Sequence, residues 1–159
     1  MSNISFLALH ALNGIAIICT AIVFGTDVFF ALIGKNAAIK SEETSIADVY
    51  GHFHELADVR MPFFGITAIL TTIAQIILYG IHSAAGKLSI LALAGMLLQL
   101  SIYLIISKPV NKVMIESIKY GRVVNNVREL QERWDSVIIP RAVLLFLAII
   151  CLIMINYTG

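Results

Sequence analysis

The sequence predicts an all-α polytopic membrane protein, an up-down bundle of four transmembrane helices that extend into the cytoplasm. Hydrophobic residues make up 59% of the chain and charged residues only 13%, which leaves too little polar surface to cover a soluble domain. All charged residues except Lys87 lie in or beside the first and third connections between apolar runs. Each run can supply about 20 apolar residues for a span. The charge-free runs are residues 4–26, 61–85, 88–107 and 142–159.

Lys and Arg are distributed unequally over the three connections between these runs. Three lie in the first connection (Lys35, Lys40 and Arg60), one in the second (Lys87) and seven in the third. Because cytoplasmic connections are enriched in Lys and Arg, we expect the first and third connections in the cytoplasm and both termini outside. The expected location is the bacterial inner (cell) membrane.

The first two helices are predicted to be longer than a bilayer requires. The first, about residues 4–34, continues as apolar sequence to Gly34. The second, about residues 45–82, is predicted to begin at Ser45, because Ser45 and Asp48 resemble a capping box and apolar residues then recur at helical spacing. Both helices should therefore project beyond the hydrocarbon layer on the cytoplasmic side.

The third and fourth helices are predicted to extend in the same way. An apolar stripe carries the third helix, about residues 87–120, up to Gly121, a residue type that commonly ends a helix. The fourth, about residues 126–157, is predicted to start with Asn126 as N-cap and to pass through Pro140 into the fourth span. The even number of spans and the short second connection predict the up-down order.

Several function classes find no support in the chain. Residues 1–159 are predicted to form a single membrane domain, and a net charge of +1 gives no reason to expect nucleic acid as a partner. Phosphate-cradling glycine loops, nucleophile elbows and Cys-x-x-Cys motifs do not occur. The expected partners are the lipid bilayer and a lipophilic small molecule.

Charged residues at the inner ends of the spans are the first candidates for a site. A charge at the centre of a membrane helix costs roughly 2.5–3.5 kcal/mol, so Asp27, Arg60 and Arg141 are expected to have partners. Arg60 shares a helix face with apolar residues and is expected to point into the bundle. Asn111 enters the same layer, and Trp134 lies on nearly the same face as Arg141. One interpretation is a polar substrate pocket built from these five residues.

The other interpretation of the same residues is structural. Asp27 would pair with one Arg and hold two helices together, while the other Arg reaches lipid phosphate. Trp134 would then anchor the membrane interface.

Histidines form a second group of candidates. His54 and Asp58 are four residues apart on one helix, a spacing suited to two metal ligands or to a proton-transfer couple. Further metal ligands would have to come from Asp27 or Glu116. The more ordinary use of His52 and His54 is a solvated helix face.

His10 and His82 fall near the outer ends of the first and second helices, at comparable depth. Two histidines on facing helices can hold haem. His82 sits beside the outer turn, where water reaches it, so we predict no cofactor, with haem and a single metal ion as the alternatives.

Three short motifs give the chain a resemblance to a known family. They are residues 58–62 (Asp-Val-Arg-Met-Pro), residues 108–111 (Lys-Pro-Val-Asn) and the element from Trp134 to Arg141. With these motifs the chain resembles the anthrone-oxygenase-like family of small four-helix membrane proteins, and the resemblance would cover nearly the whole chain. Members with an assigned role oxidise polycyclic anthrones to anthraquinones without a dedicated metal or flavin. The resemblance implies a cofactor-independent oxygenase or oxidoreductase acting on a lipophilic phenolic or polycyclic substrate.

The resemblance also implies roles for the candidate residues. His54, oriented by Asp58, is the expected base that makes a phenolic substrate a carbanion able to react with dioxygen. Arg60 or Arg141 is expected to stabilise the enolate oxygen. Asp27, Asn111 and Trp134 are the expected substrate-binding residues. The Trp134 side chain is expected to stack on the ring of the substrate.

A non-catalytic membrane module that binds a partner or a lipid is the main alternative. A haem- or metal-binding membrane protein is the further one. Small residues at Gly65, Ala68 and Thr72 would allow close helix contact, so a homo-oligomer also stays open. A transporter is less favoured, because the outer halves of the spans carry almost no charge.

Overall fold

The computed structural model describes residues 3–121, 124 and 126–158. Within them the chain forms seven α-helices, two π-helical turns and no strand. The α-helices are α1 (Asn3–Phe29), α2 (Lys35–Lys40), α3 (Glu43–Tyr79), α4 (Ala84–Ile102), α5 (Lys108–Tyr120), α6 (Val127–Asp135) and α7 (Ile138–Ile155). The π-helical turns, Phe30–Gly34 and Tyr103–Ser107, join α1 to α2 and α4 to α5.

Four long helical segments of the described chain are long and apolar enough to cross a membrane. They are, in order, Leu7–Lys40, Glu43–Tyr79, Ala84–Tyr120 and Val127–Ile155, and we call them the first to fourth long helices. The second is a single α-helix of 37 residues and extends roughly 56 Å at 1.5 Å per residue, more than the ~30 Å of hydrocarbon. The predicted fold class, an all-α membrane bundle of four long helices, is confirmed.

The polar connections lie together at one end of the bundle, which we call the charged end. It carries the residues around the first connection, 27–60, and around the third, 108–141. The opposite end contains the second connection, at 80–83, the N-terminal end of α1 and the C-terminal end of α7. There the Asn13 side chain donates a hydrogen bond to the Leu152 carbonyl oxygen at 3.0 Å, which ties the first long helix to the fourth.

Small residues fill the bundle core away from the charged end. Ala16, Ala68 and Ala148 are buried there. A Cβ added to Gly95 would lie 3.0 Å from the carbonyl oxygen of Leu144, so α4 and α7 approach to backbone contact. Such close packing is what holds helices together in lipid, where burial of apolar surface gives little net drive.

Aromatic rings form the core at the charged end. The Phe30 ring centroid lies 5.1 Å from that of Trp134 and 5.9 Å from that of Tyr50. The His54 ring lies 5.3 Å from Trp134. We call these four residues the aromatic cluster.

The first connection differs from the prediction. The first long helix does not end at Gly34 but passes through a π-helical turn and continues to Lys40. Packing holds the buried Gly34 in helical conformation. α3 begins at Glu43 rather than Ser45, with the extended Glu42 as N-cap. An acidic residue in the first turn favours this start, because it interacts well with the positive end of the helix dipole.

The ends of the third and fourth long helices match the prediction in part. Gly121 ends α5 in the left-handed conformation, with φ of +61°, as predicted. Asn126 is the N-cap position of α6, but its side chain makes no capping hydrogen bond. A turn at 136–137 separates α6 from α7, and α7 passes through Pro140 into the fourth span, as predicted. Pro140 lies in the first turn of α7. The backbone N–H groups of a first turn have no partner within the helix, so a proline there costs no helical hydrogen bond.

Candidate functional site

A cavity of about 380 Å³ lies inside the bundle, next to the aromatic cluster. All four long helices contribute to its wall. Six of the seven site residues predicted from the sequence line it: Asp27, His54, Asp58, Asn111, Trp134 and Arg141. The structure therefore brings most of the predicted pocket together at the charged end.

Asp27 and Arg141 form a buried ion pair in the cavity wall. Arg141 Nη2 donates to Asp27 Oδ1 at 2.7 Å, and the two side chains are 7% and 2% exposed. Arg141 Nη1 donates a second hydrogen bond to Ser107 Oγ at 2.8 Å. The pair joins the first, third and fourth long helices, so the helix-linking role belongs to Arg141.

Arg60 does not join the site, and the expectation that it points into the bundle is wrong. Its side chain is exposed and outside the cavity lining. The apolar stripe used to place it consists of Ile46, Val49 and Phe53. Ile46 is buried, but Val49 is 46% and Phe53 44% exposed, so the stripe is not the buried face of α3. The buried face of α3 instead runs through Tyr50 and His54, and its centre lies roughly 100° around the helix from Arg60.

Asp58 binds the third long helix. Its Oδ1 accepts hydrogen bonds from the Tyr103 hydroxyl and from the Asn111 amide, both at 2.7 Å. No hydrogen bond joins Asp58 to His54 among the described residues, so the expected orientation of the imidazole by Asp58 is not present. The carboxylate instead fixes the two side chains that face it across the cavity.

His54 and Trp134 face the cavity from the aromatic cluster. They are 1% and 5% exposed, so the solvated helix face expected for His54 is wrong, whereas His52 is exposed. The Arg141 guanidinium carbon lies 5.6 Å from the Trp134 ring centroid and 5.5 Å from that of Tyr103. Both distances fit cation–π attraction, which holds the guanidinium between the two rings.

Five buried polar atoms of the cavity residues have no hydrogen-bond partner within the described structure. They are Asp27 Oδ2, His54 Nε2, Asn111 Oδ1, Trp134 Nε1 and Arg141 Nε. Buried polar atoms are nearly always paired, and an unpaired one in apolar surroundings costs about 1–3 kcal/mol. The other unpaired buried polar atoms of the described chain lie away from the cavity, on Asn13, Gln75 and Gln131.

The metal and haem alternatives receive no geometric support from the described residues. Nowhere among them do three His, Cys, Asp or Glu side chains come close enough to hold a metal ion. Glu116, one of the expected extra ligands, lies 4.0 Å from Lys112 on its own helix. His10 and His82 are both exposed.

Sequence reasoning missed Tyr103, Ser107 and Lys108 on the third long helix. The first two belong to the π-helical turn Tyr103–Ser107, a feature that is frequent at functional sites and that hydrophobic periodicity does not show. The spacing was a usable signal, because the polar residues 99, 103, 107 and 111 recur four apart and all but Ser107 line the cavity.

Comparisons with known proteins give no match. No family model matches the chain, and neither a curated protein nor a solved structure does. The likeness to the anthrone-oxygenase-like family stays a prediction from three short motifs.

Proposed function

We propose that this protein binds a lipophilic phenolic or polycyclic molecule in the cavity at the charged end and oxidises it with dioxygen. The observation that carries the proposal is the set of five unpaired buried polar atoms around one cavity of otherwise apolar character. Ligand sites are typically apolar concavities with a few convergent polar groups.

The unpaired atoms define what the ligand must offer. Trp134 Nε1 and Arg141 Nε are donors, while Asn111 Oδ1 and Asp27 Oδ2 are acceptors. A complementary ligand carries at least one acceptor and one donor on an apolar body. A polycyclic ketone with phenolic hydroxyls meets both requirements, and the Trp134 ring supplies a stacking surface for it.

His54 is the base in this proposal. A neutral imidazole has one nitrogen able to accept a proton, and Nε2 of His54 is a buried atom without a partner in the described chain. It removes a proton from a methylene activated by the neighbouring carbonyl. The Arg141 Nε–H stabilises the negative oxygen that forms.

The oxidant is dioxygen. The carbanion electrons pass to dioxygen, and the resulting hydroperoxide loses water to leave a new carbonyl. One methylene and one dioxygen thus give one carbonyl and one water. Because no hydrogen bond joins Asp58 to His54 among the described residues, the role of Asp58 in this proposal is to position Tyr103 and Asn111.

The location proposed for this activity is the bacterial inner membrane, with the charged end in the cytoplasm. Seven Lys and Arg residues in the third connection and three in the first support this orientation. The substrate would then react at the cytoplasmic layer of the bilayer.

The proposal is testable with His54→Gln and the matched control His52→Gln. The two histidines lie two residues apart on α3, one buried in the cavity and one exposed. With dihydroxyanthrone as substrate, we expect oxygen consumption to fall about a hundredfold or more in His54→Gln, as typical for loss of a general base. His52→Gln should keep the wild-type rate. Undiminished turnover in His54→Gln refutes the assignment of the base.

A non-catalytic binding protein is the second candidate. The observation that favours it is the absence of a hydrogen bond between His54 and Asp58 among the described side chains, which leaves the imidazole without an orienting partner. Binding is measurable directly, because Trp134 is the single tryptophan of the chain and lines the cavity. Quenching of its fluorescence by dihydroxyanthrone without oxygen consumption would favour this candidate.

A further inference from the structure

The cavity is long and has a polar and an apolar end. Along α3 its lining extends from His54 to Ile69, which is about 22 Å at 1.5 Å per residue. The polar residues described above lie at the charged end. Towards the membrane centre the wall is mostly apolar and includes Val23, Ala68 and Met96. Its polar residues there are Gln99 and Thr20, and the Thr20 hydroxyl donates to the carbonyl oxygen of Ala16 on its own helix.

The cavity also opens sideways. Four of its lining residues are exposed on the outside of the bundle: Pro62, Ile66, Leu104 and Lys108. The first two lie on α3 and the other two on the facing third long helix. Since these segments are long and apolar enough to cross a membrane, an opening between them faces lipid, with Lys108 at its charged edge.

The formal charges of the lining cancel. Among the described lining residues, Asp27 and Asp58 are acidic and Lys108 and Arg141 are basic. The cavity therefore offers no net charge to attract a phosphate or a carboxylate head. A head with uncharged hydroxyl or carbonyl groups fits the unpaired donors and acceptors better.

We propose that the ligand of this cavity is a tailed amphiphile: an uncharged hydroxyl- or carbonyl-bearing ring at the polar end, and a hydrocarbon tail along the apolar end. It enters sideways from the bilayer between α3 and the third long helix. The inference rests on the proposed function, because the ring occupies the site described there, and it narrows the substrate class to molecules with a tail.

Gly65 marks the space that the tail would fill. It lines the apolar part of the cavity, and a Cβ added to it would meet no atom within 4 Å. A leucine at this position would project into the cavity and compete with the tail. Gly25 is a matched control, because its Cβ also meets nothing within 4 Å but the residue is exposed and does not line the cavity.

The test compares para-dodecylphenol with para-cresol, which has the same head without the long tail. Protein in phospholipid nanodiscs is titrated with each, and Trp134 quenching is plotted against the mole fraction of ligand in the bilayer. For the wild type we expect half-quenching at a lower mole fraction of para-dodecylphenol. Gly65→Leu should raise that mole fraction by about tenfold for para-dodecylphenol and leave para-cresol unchanged. Gly25→Leu should behave as wild type with both ligands.

Three different results would overturn the inference. Half-quenching of the wild type at the same mole fraction of both phenols is expected if phospholipid acyl chains occupy the apolar end. That result, or identical behaviour of Gly65→Leu and Gly25→Leu, would refute the binding of a tail in the cavity. Either result would leave the proposed ring site intact. Lack of quenching by either phenol in the wild type would instead refute the proposed function itself. Should Gly65→Leu fail to fold, Ile69→Phe obstructs the same end of the cavity from one turn further along α3.

Discussion

Arg141 connects more of the site than any other side chain described. It pairs with Asp27, donates to Ser107 and lies over the rings of Tyr103 and Trp134. Two buried charges are expensive to take out of water, and their mutual attraction offsets that cost only while both are present. The stability of the charged end therefore depends on keeping or removing the pair as a unit.

Replacing Arg141 alone should be strongly destabilising. Arg141→Met leaves the Asp27 carboxylate buried without its cation, and the expected loss of unfolding free energy is about 3–5 kcal/mol. Asp27→Leu/Arg141→Met should recover most of this loss, since no unpaired charge is left. Unfolding in mixed detergent micelles measures both effects. Arg60→Met, which alters an exposed Arg, should stay within about 0.5 kcal/mol of wild type. A double variant no more stable than Arg141→Met would contradict the argument.

The two π-helical turns are the elements that shape the cavity. Phe30 opens the first of them and Tyr103 the second, and both residues line the cavity, from helices that lie diagonally across the bundle from each other. A π-helical turn contains one residue more than the α-helical turn it replaces. The side chains that follow it are therefore rotated by roughly 100° around the helix axis, compared with a continuous α-helix. Asn111 meets Asp58 at 2.7 Å because α5 follows such a turn.

Removing one residue from the second turn should abolish the site. Ile105 is 69% exposed, so its deletion removes no core side chain, but it turns α5 away from α3 and breaks the Asn111–Asp58 bond. We expect Trp134 quenching by phenols to disappear while circular dichroism still shows a helical protein. Ile105→Ala, which shortens the same side chain without changing the register, should bind normally. Full quenching by the deletion variant would show that the turn does not position the site.

The distribution of charge was sufficient to predict the four helices, but apolar periodicity did not predict which face of α3 is buried. Within the charge-free part of α3, Ile77 is 75% exposed and Ala68 only 3%, although both are apolar. In a bilayer the lipid-facing surface is as apolar as the core, so hydrophobicity no longer marks burial. The polar and small residues mark it instead, as the buried Thr72 and Gln75 show further along α3. Arg60 was misplaced for this reason.

The π-helical turns could not be predicted from the sequence either. Neither Phe30–Gly34 nor Tyr103–Ser107 contains a helix-breaking proline. Each turn depends on tertiary packing, such as the hydrogen bond from the Tyr50 hydroxyl to the Gly34 carbonyl oxygen. Four of the six cavity residues, Asp27, Asn111, Trp134 and Arg141, were nevertheless predicted, because charged, amide and indole groups near the ends of apolar spans need partners wherever the helices are rotated. His54 and Asp58 were predicted from their spacing of four residues on one helix.

At the scale of the whole molecule, the bundle has a charged end and an end almost free of charge, and this asymmetry predicts its orientation. The first and third connections contain three and seven Lys and Arg residues, against one in the second. Positively charged connections are retained in the cytoplasm, so the charged end should lie there. The N-terminal end of α1 and the C-terminal end of α7 should then lie outside. Access to the cavity would then be from the cytoplasmic leaflet.

Single cysteines introduced in a background without Cys19 and Cys151 test this orientation. Tyr157→Cys replaces a residue that is 77% exposed beyond α7, and Lys112→Cys replaces one with a side chain 77% exposed on α5. In spheroplasts, a membrane-impermeant maleimide should label Tyr157→Cys and should reach Lys112→Cys only after the membrane is opened. The reverse pattern would place the charged end outside the cell. The ring site would then face the outer leaflet, and a substrate made in the cytoplasm would have to cross the bilayer before it could react.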